Sequence, residues 1–337
     1  MLILAVESSC DETAVALVRD GRTVLADCIA SSVEMHKLYG GVVPEIASRK
    51  HIEVISQLAD QALAQAGVTR GDIDAVAVTY APGLIGAVLV GVSFAKAVAY
   101  ALGVPLIPVH HVRGHIAANY IAHPDLEPPF VCLCVSGGTS LIVDVKGYTD
   151  MAILGGTRDD AAGECFDKIA RVMGLGYPGG PVVSKFAAEG DPDAIPFPRA
   201  MLHSGDLRFS LSGLKTAVVT YINNERAAGR ELNVPDICAS FTAAVVDVQV
   251  AKARAALRET GAPTFCLGGG VAANPTLRAA YEQMCAEEGV RLVMPPLASC
   301  GDNAGMIAEV ALDRYRAGAF SPLSTDALAH GDLEVPY

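Results

Sequence analysis

The sequence has no tryptophan, few charged residues and fewer bases than acids. Charged residues make up 18% of the 337 residues and hydrophobic ones 51%, which excludes a disordered chain. The 25 Lys and Arg against 37 Asp and Glu give a net charge of −12, the wrong sign for a broad polyanion-binding face. Basic residues cluster only locally, at Arg49-Lys50-His51 and at Arg208 and Lys215. Contact with nucleic acid must therefore be local or supplied by a partner.

Signals for secretion, disulfides and membrane insertion are also lacking. The nine cysteines show no spacing typical of a metal site, because Cys132 and Cys134 fall in an apolar strand pattern and the others are scattered. The simplest interpretation is reduced thiols in the cytoplasm. The first six residues contain no basic residue and predict a strand instead of a signal peptide. The apolar run 84–102 contains Lys96, Ser93 and two glycines, so we expect no membrane span.

A pattern of strands and helices occurs twice along the chain. In the first half, β-type runs at 2–7, 13–19 and 22–31 precede a helix at 44–66, and further strands and helices follow to residue 121. After the proline-rich residues 124–129, the strand, turn, strand pattern begins again at 130–135 and 140–145. This repeat predicts an α/β protein of two duplicated domains with a cleft between them.

The predicted domains are residues 1–128 and 129–304, at about 150 residues per domain. Loops rich in glycine and proline indicate a helical insertion at about 155–235 in the second domain. We expect a C-terminal helix at 305–337 to pack back on the first domain.

A histidine pair is the strongest metal-binding signal in the sequence. His111 and His115 are four residues apart on one face of a predicted helix, where both side chains can reach one ion. Asp302, which also follows a predicted strand, is a plausible third ligand. The alternative is a pair of surface or helix-capping histidines. Val112 occupies the position of the general base in the His-Glu-x-x-His motif, which argues against a zinc peptidase.

Two glycine-rich turns predict a phosphate or adenylate site. Gly268-Gly269-Gly270 follows a strand and opens a helix near Asn274, so backbone N–H groups can approach a phosphate closely. Ser136-Gly137-Gly138 is a second such turn. Either can also be a plain tight turn.

Three acidic residues are candidates for a role in this site. Asp11 and Glu12 follow the first strand, and the repeat places them at the mouth of the predicted cleft, although such carboxylates are often merely solvated. Asp167 lies deeper in its helix than the helix dipole explains, and recognition of a ribose or hydroxyl near residues 177–181 is the predicted role.

A series of motifs resembles the bacterial TsaD family, formerly described as O-sialoglycoprotein endopeptidases or glycoproteases. They run in the family's order over nearly the whole chain, from residue 7 to Asp302: Glu7-Ser8-Ser9-Cys10-Asp11-Glu12-Thr13, Gly40-Gly41-Val42-Val43-Pro44-Glu45, Pro82-Gly83-Leu84-Ile85-Gly86, His111 with His115, Ala162-Gly163-Glu164 with Phe166-Asp167-Lys168, Phe209-Ser210-Leu211-Ser212-Gly213-Leu214-Lys215-Thr216, and Gly269-Gly270-Val271 with Asn274.

This resemblance implies a tRNA N6-adenosine threonylcarbamoyltransferase, an enzyme that takes threonylcarbamoyl-adenylate as donor. It modifies the adenosine 3′ to the anticodon in tRNAs that read codons beginning with A. The implied fold is that of actin-like ATPases, sugar kinases and heat-shock chaperones, with two RNase H-like domains. The implied partners are TsaB-like and TsaE-like proteins.

The resemblance also implies roles for individual residues. His111, His115 and Asp302 correspond to ligands of one divalent metal ion per subunit, with Fe²⁺ expected and Zn²⁺ as the alternative. Asp11 is the candidate for accepting the amine proton, with Glu12 beside it. The residues expected to line the adenylate site are Cys134, Val135, Ser136, Gly137, Gly138, Asp167, Gly180 and Asn274.

The sequence departs from the family at three positions. Thr139 stands where histidine is usual, Arg113 where glutamate is common, and Ala272 where serine is common. Two other functions remain open, an ATP-dependent kinase or ATPase of the same fold and a non-catalytic nucleotide-binding scaffold. A histidine pair suits a borderline metal better than Mg²⁺, and this favours the transferase.

Overall fold

The structure, a computed structural model, describes residues 1–335 and separates the chain into two units. Unit 1 contains Met1–Pro128, Gly147–Met151 and the residues from Pro295 onward, and unit 2 contains Pro129–Lys146 and Ala152–Met294. Residues 295–304 lie in unit 1, whereas the sequence placed them in the second domain. The reason is that the backbone N–H groups of Ala304 and Gly305 donate to the Asp27 carboxylate of the first sheet.

Unit 1 is built on one five-stranded sheet in the order β3-β2-β1-β4-β5. Strand β1 is antiparallel to β2 and parallel to β4, β2 is antiparallel to β3, and β4 is parallel to β5. Its strands and α-helices among residues 1–335 are β1 (Leu2–Glu7), β2 (Glu12–Arg19), β3 (Thr23–Ser31), α1 (Val33–Lys37), α2 (Pro44–Ala66), β4 (Ala75–Ala81), α3 (Ile85–Leu102), β5 (Leu106–His110), α4 (His111–Ala122) and α10 (Gly305–Arg316).

Local residue chemistry explains the element boundaries in unit 1. Asp20 and Gly21 have φ of 52° and 77°, the left-handed conformation that a tight hairpin turn between β2 and β3 requires. Helix α2 has Pro44 in its first turn and ends at Gly67, whose φ of 64° suits glycine. These punctuating residues allowed both elements to be predicted from the sequence.

Unit 2 repeats the topology of unit 1. Its sheet has the order β10-β9-β6-β7-β8, which matches the order β5-β4-β1-β2-β3 strand for strand. Its strands and α-helices are β6 (Phe130–Val135), β7 (Ser140–Val145), β8 (Met151–Gly156), α5 (Ala162–Met173), α6 (Gly179–Ala187), α7 (Ser212–Ala227), α8 (Val234–Thr260), β9 (Thr264–Gly268), α9 (Pro275–Glu288) and β10 (Arg291–Val293). Helices α5 to α7 occupy the part of the repeat where unit 1 has only α1 and a loop.

Two elements differ from the sequence prediction. Strand β8 was not predicted, because it is a partly exposed strand at the edge of its sheet and ends in two glycines. The last helix was predicted over residues 305–337 but ends at Arg316. Gly318 follows with φ of 65°, and Pro322 comes soon after, so a helix cannot continue easily through these residues.

Helices α3 and α8 are long and apolar enough to cross a membrane by length and composition alone. In the structure α3 packs against α2 and β4, and α8 packs against α6 and α9. Core helices that pack on sheets often have this composition, so these two helices are weak support for a membrane span.

Candidate metal centre and adenylate site

Three predicted ligands lie together in unit 1. Strand β5 ends at His110 and α4 begins at His111, so the histidine pair starts at the carboxyl end of a parallel strand, where α/β folds build sites. The Nε2 atom of His115 is 3.2 Å and that of His111 is 3.5 Å from Oδ1 of Asp302. The ligand atoms of the three residues all lie within 4.8 Å of one another.

The start of α10 fixes the position of Asp302. Asn303, the next residue, accepts a hydrogen bond from the backbone N–H of Met306 at 2.9 Å and so caps the helix. The Asp27 carboxylate accepts the N–H groups of Ala304 and Gly305 at 3.4 and 3.2 Å. The loop that carries Asp302 is thus tied both to its own helix and to strand β3.

Glu7 contacts this cluster, although no role was predicted for it from the sequence. Its side chain is buried, and its Oε2 atom lies 3.0 Å from Nδ1 of His111. The Ser9 backbone N–H and the Thr79 hydroxyl also donate to the Glu7 carboxylate, each at 2.5 Å. A carboxylate that orients a ligating imidazole is a usual partner in metal sites. The signal in the sequence was a glutamate at the end of an otherwise apolar strand.

The two carboxylates control the charge of His111. Burial disfavours the protonated imidazole, but Glu7 and Asp302 outweigh it and raise the pKa of His111 to about 9. Burial likewise opposes ionisation of Asp302, and the two histidines lower its pKa to about 2. The pKa of Glu7 also lies below its ordinary value, because His111 outweighs the effect of burial. Without a metal, the cluster therefore holds two ionised carboxylates and a protonated His111, and a bound metal ion would take the place of the imidazole proton.

The residues present fit a transition-metal ion. His115 is 1% exposed and, apart from the contact with Asp302, its ring nitrogens have no hydrogen-bond partner within residues 1–335. Buried imidazole nitrogens normally have a partner, and a metal ion would be such a partner for one ring nitrogen of His115. Two imidazoles and one carboxylate suit Fe²⁺ or Zn²⁺, whereas Mg²⁺ prefers oxygen ligands.

Asp11 lies in the turn between β1 and β2, and Glu12 is the first residue of β2. His51 stabilises this turn, since its Nε2–H donates to the Cys10 carbonyl at 3.0 Å and its Nδ1 accepts from the Thr13 hydroxyl at 2.7 Å. Burial, followed by the charges of Asp11 and Asp302, raises the pKa of Glu12 to about 9. A bound cation would oppose this shift, but without one Glu12 is protonated at neutral pH and is a poor general base.

The predicted adenylate residues all lie in unit 2. Cys134 and Val135 are buried at the end of β6, and the turn Ser136-Gly137-Gly138 follows. Thr139 closes this turn, because its carbonyl accepts from the Ser136 N–H at 2.8 Å.

Close backbone approaches bring helix N-termini to this turn. The N–H groups of Gly163 and Glu164 donate to the carbonyls of Ser136 and Gly137, each at 3.1 Å, so α5 begins directly beside the turn. A Cβ atom on Gly163 would lie 2.6 Å from the Ser136 carbonyl oxygen, which explains the glycine. A Cβ on Gly269 would lie 2.3 Å from the Val135 carbonyl oxygen, so the glycine turn after β9 also meets the end of β6.

The remaining predicted residues join α6 and α9 to the same region. The Asp167 carboxylate accepts the N–H of Gly179 at 2.6 Å, next to Gly180 in the first turn of α6. Asn274 caps α9 through the Leu277 N–H and donates to the Ser184 hydroxyl of α6 at 2.8 Å. Asp167 and Asn274 therefore each have a structural role: Asp167 binds a backbone N–H of α6, and Asn274 caps α9. The N-terminus of α5 and the two glycine turns thus lie at the end of β6, an arrangement that suits an adenylate phosphate.

Comparison with known proteins decides the family. The sequence model of the TsaD family, which is described as tRNA N6-adenosine threonylcarbamoyltransferase, matches residues 23–309. The chain belongs to the TsaD family. A relative of that name from Clostridium botulinum (strain Kyoto / Type A2) is 50% identical over 326 residues, 97% of this chain and 96% of that protein. One from Moorella thermoacetica is 53% identical over 326 residues, 97% of this chain and 95% of that protein.

Solved structures of low identity share the fold with this TsaD-family chain. T. kodakarensis HypF has a TM-score of 0.64 at 16% identity and covers 99% of this chain and 49% of its own. Component A of the Acidaminococcus fermentans (R)-2-hydroxyglutaryl-CoA dehydratase has a TM-score of 0.54 at 12% identity, with 95% and 99% covered. The predicted actin-like ATPase architecture is thereby confirmed.

Proposed function

We propose that the chain transfers the threonylcarbamoyl group from threonylcarbamoyl-adenylate to N6 of the adenosine 3′ to the anticodon in tRNAs that read codons beginning with A. The observation that carries this proposal is the identity of about half the residues, over 97% of the chain, with relatives named tRNA N6-adenosine threonylcarbamoyltransferase. The similarity extends over nearly the full length of both chains, so it is not confined to a nucleotide-binding core.

A kinase or ATPase of the same fold is the main alternative. The glycine turns of unit 2 suit ATP as well as an adenylate. The buried cluster of His111, His115 and Asp302 favours the transferase, because a phosphoryl-transfer site built for Mg²⁺ would offer oxygen ligands. A non-catalytic scaffold has no need of a buried cluster with a dedicated orienting carboxylate such as Glu7.

His111, His115 and Asp302 would hold the metal, with Fe²⁺ expected and Zn²⁺ as the alternative. A bound divalent metal supplies Lewis acidity and a template for substrate oxygens. Glu7 holds His111 by its Nδ1–H, so that Nε2 faces Asp302. This arrangement fixes the ring before any metal arrives and lowers the cost of ordering the ligands.

Asp11 is proposed to accept the proton of the adenosine amine. An exocyclic adenine amine is a poor nucleophile, because its lone pair is delocalised into the ring. It therefore needs orientation against the activated acyl carbon and removal of its proton. The mixed anhydride of the donor supplies the activation. Asp11 is preferred to Glu12, because Oε1 of Glu12 already accepts a hydrogen bond from the Ser31 hydroxyl at 2.9 Å.

The donor's adenylate is proposed to bind unit 2 at Cys134, Val135, Ser136, Gly137, Gly138, Asp167, Gly180 and Asn274. Support comes from the N-terminus of α5 and the two glycine turns at the end of β6. We also propose a cytoplasmic protein that works with TsaB-like and TsaE-like partners. The motive for the partners is the net charge of −12.

One experiment separates the three functions. The purified chain is incubated with tRNA, threonylcarbamoyl-adenylate and the partner proteins, and digested nucleosides are analysed by mass spectrometry. A transferase forms threonylcarbamoyladenosine in amounts that grow with time. In a parallel incubation of the chain alone with ATP, a kinase or ATPase would consume ATP. A scaffold would consume no ATP and would form no threonylcarbamoyladenosine.

A further inference from the structure

Arg113 is a charged residue buried in the helix that carries both histidines. Its side chain lies two positions after His111 in α4 and is 1% exposed. A guanidinium removed from water is unfavourable unless its donors are satisfied. The partners of Arg113 therefore indicate its role.

The guanidinium donates to backbone carbonyls of the segment that follows α10. We name residues 317–335 the C-terminal strap. The Nε and Nη2 atoms of Arg113 donate to the Leu333 carbonyl at 3.2 and 2.6 Å, and Nη2 also donates to the Val335 carbonyl at 3.2 Å. Nη1 donates to the Thr149 carbonyl at 3.0 Å. The planar fork of arginine can hold several carbonyls at fixed angles, which lysine cannot do.

The strap follows the sheet of unit 1 before it reaches α4. The Ser321 N–H donates to the Leu106 carbonyl at the start of β5. Farther along, the Leu328 N–H donates to the Tyr80 carbonyl near the end of β4, at 2.8 Å. Gly331 then packs on the His110 ring, where a Cβ atom would lie 2.9 Å from the ring carbon Cδ2. The strap thus crosses the junction of β5 and α4 immediately before Arg113 binds it.

Arg113 and the two ligands face opposite sides of α4. At about 100° per residue, Arg113 is rotated about 200° from His111 and from His115. Between them, Gly114 packs on α10, since a Cβ atom there would lie 2.9 Å from Ile307 Cδ1 and 3.1 Å from Met306 Cγ. Helix α10 begins three residues after Asp302. Helix α4 is therefore held by the strap on one side and contacts the helix behind Asp302 on another.

We infer that Arg113 is a positioning residue: its guanidinium binds the C-terminal strap against α4 and thereby keeps His111 and His115 in register with Asp302. This inference rests on the proposed metal site, but it concerns contacts of the chain itself. Helix α4 is short, at 12 residues, and its cap residue His110 makes no side-chain cap hydrogen bond. Tertiary contacts, including those of Arg113, must therefore fix its position.

The test compares Arg113→Lys with Arg314→Lys in the full chain. Both changes keep the charge and remove an arginine fork that contacts a backbone carbonyl of unit 1. Arg314 instead donates from the last turn of α10 to the Pro108 carbonyl of β5. Leu333→Ala is a second variant, because it trims a side chain that is 2% exposed in the strap and leaves Arg113 unchanged. It keeps the test informative if Arg113→Lys does not fold.

Two readouts are measured on each variant: amide hydrogen exchange without added metal, and Zn²⁺ affinity by competition with a chromophoric chelator. Arg113→Lys is expected to speed exchange in both 328–335 and α4, and to weaken Zn²⁺ binding about tenfold or more. Leu333→Ala is expected to act in the same direction. Arg314→Lys is expected to leave the exchange of α4 and the Zn²⁺ affinity within about twofold of wild type.

The inference is overturned if α4 exchanges at the wild-type rate in both Arg113→Lys and Leu333→Ala. It is also overturned if Arg314→Lys weakens Zn²⁺ binding as much as Arg113→Lys, since the effect would then be general destabilisation. If wild-type protein binds no Zn²⁺ while exchange behaves as expected, the metal assignment fails and the contact of Arg113 with the strap stands.

Discussion

The carboxylate of Glu7 lies 3.0 Å from Nδ1 of His111, with both side chains buried. The Thr79 hydroxyl and the Ser9 N–H also bind this carboxylate, so Glu7 is held rigidly at the end of β1. A carboxylate in this position selects the Nδ1–H form of the imidazole and leaves Nε2 for a metal. Strand β1 thus contributes to the site without supplying a ligand.

Glu7→Gln is expected to weaken Zn²⁺ binding about 10- to 100-fold, because the neutral amide no longer supports the imidazole electrostatically. Competition with a chromophoric chelator measures the loss. Glu45→Gln is the matched control, since Glu45 is 74% exposed and pairs with Arg49 one turn away. Equal affinities for Glu7→Gln and the control would show that Glu7 has no part in metal binding.

The ligand assignment predicts that His111→Ala, His115→Ala and Asp302→Ala each lower metal content and transfer activity together. Each change removes one of three protein ligands that lie within 4.8 Å of one another. Elemental analysis of the purified variants, alongside nucleoside analysis, measures both quantities. Full metal occupancy in all three variants would refute the assignment.

The sequence predicted local structural elements better than contacts between residues that are far apart along the chain. The hairpin at Asp20-Gly21 and the bounds of α2 were predictable, because special backbone angles and proline restrict which residues fit. The role of Glu7 was not, because it depends on pairing between distant strands and α4. The contacts of Arg113 were hidden for the same reason, since Leu333 is 220 residues away. The cleft between the two halves stays a prediction.

Asp11→Asn is expected to slow transfer about 10²- to 10⁴-fold, the usual contribution of a general base. Glu12→Gln is expected to retain most activity, because Glu12 is engaged with the Ser31 hydroxyl at 2.9 Å and the amide can keep this hydrogen bond. Single-turnover rates at saturating donor compare the two variants. The reverse order of rates would move the base from Asp11 to Glu12.

Glu309 predicts how stability depends on pH. This glutamate in α10 is 2% exposed, and burial raises its pKa from an ordinary 4.5 to about 7. Arg22 opposes this shift, and its Nε donates to Oε1 of Glu309 at 3.1 Å. The folded state therefore binds more protons than the unfolded state between these values. The stability that protonated Glu309 contributes to the folded state is fully present below about pH 4.5 and is lost as the pH rises through about 7.

We therefore compare the free energy of unfolding of Glu309→Gln with that of the wild type. The difference is expected to shift in favour of the variant by on the order of 2 kcal/mol as the pH rises from 5 to 8. The amide keeps the hydrogen bond from Arg22 and has no charge to bury. Urea unfolding of both proteins at the two pH values gives the difference in the free energy of unfolding. The same difference at both pH values would show that Glu309 does not titrate in this window.

The basic residues that were candidates for tRNA contact are largely engaged within the chain. Lys215 forms an ion pair with Asp160, Arg208 with Asp206, Arg49 with Glu45 and Lys50 with Glu53. His51 is fully buried and bonded to Thr13 and Cys10. Local carboxylates thus offset much of the small positive charge that the sequence offered.

The isolated chain is accordingly expected to bind tRNA weakly and to need partners for repeated turnover. Phosphate contacts by Lys and Arg supply most nucleic-acid affinity, and a net charge of −12 weakens long-range attraction to a polyanion. tRNA binding at physiological salt and steady-state formation of the modified nucleoside are measured with the chain alone and with TsaB-like and TsaE-like proteins added. The mixture should bind tRNA more tightly, and its rate should fall steeply with added salt, because partner phosphate contacts then carry the affinity. If the single chain bound tRNA as tightly and turned over as fast as the mixture, its own cations would be sufficient and the partner requirement would be wrong.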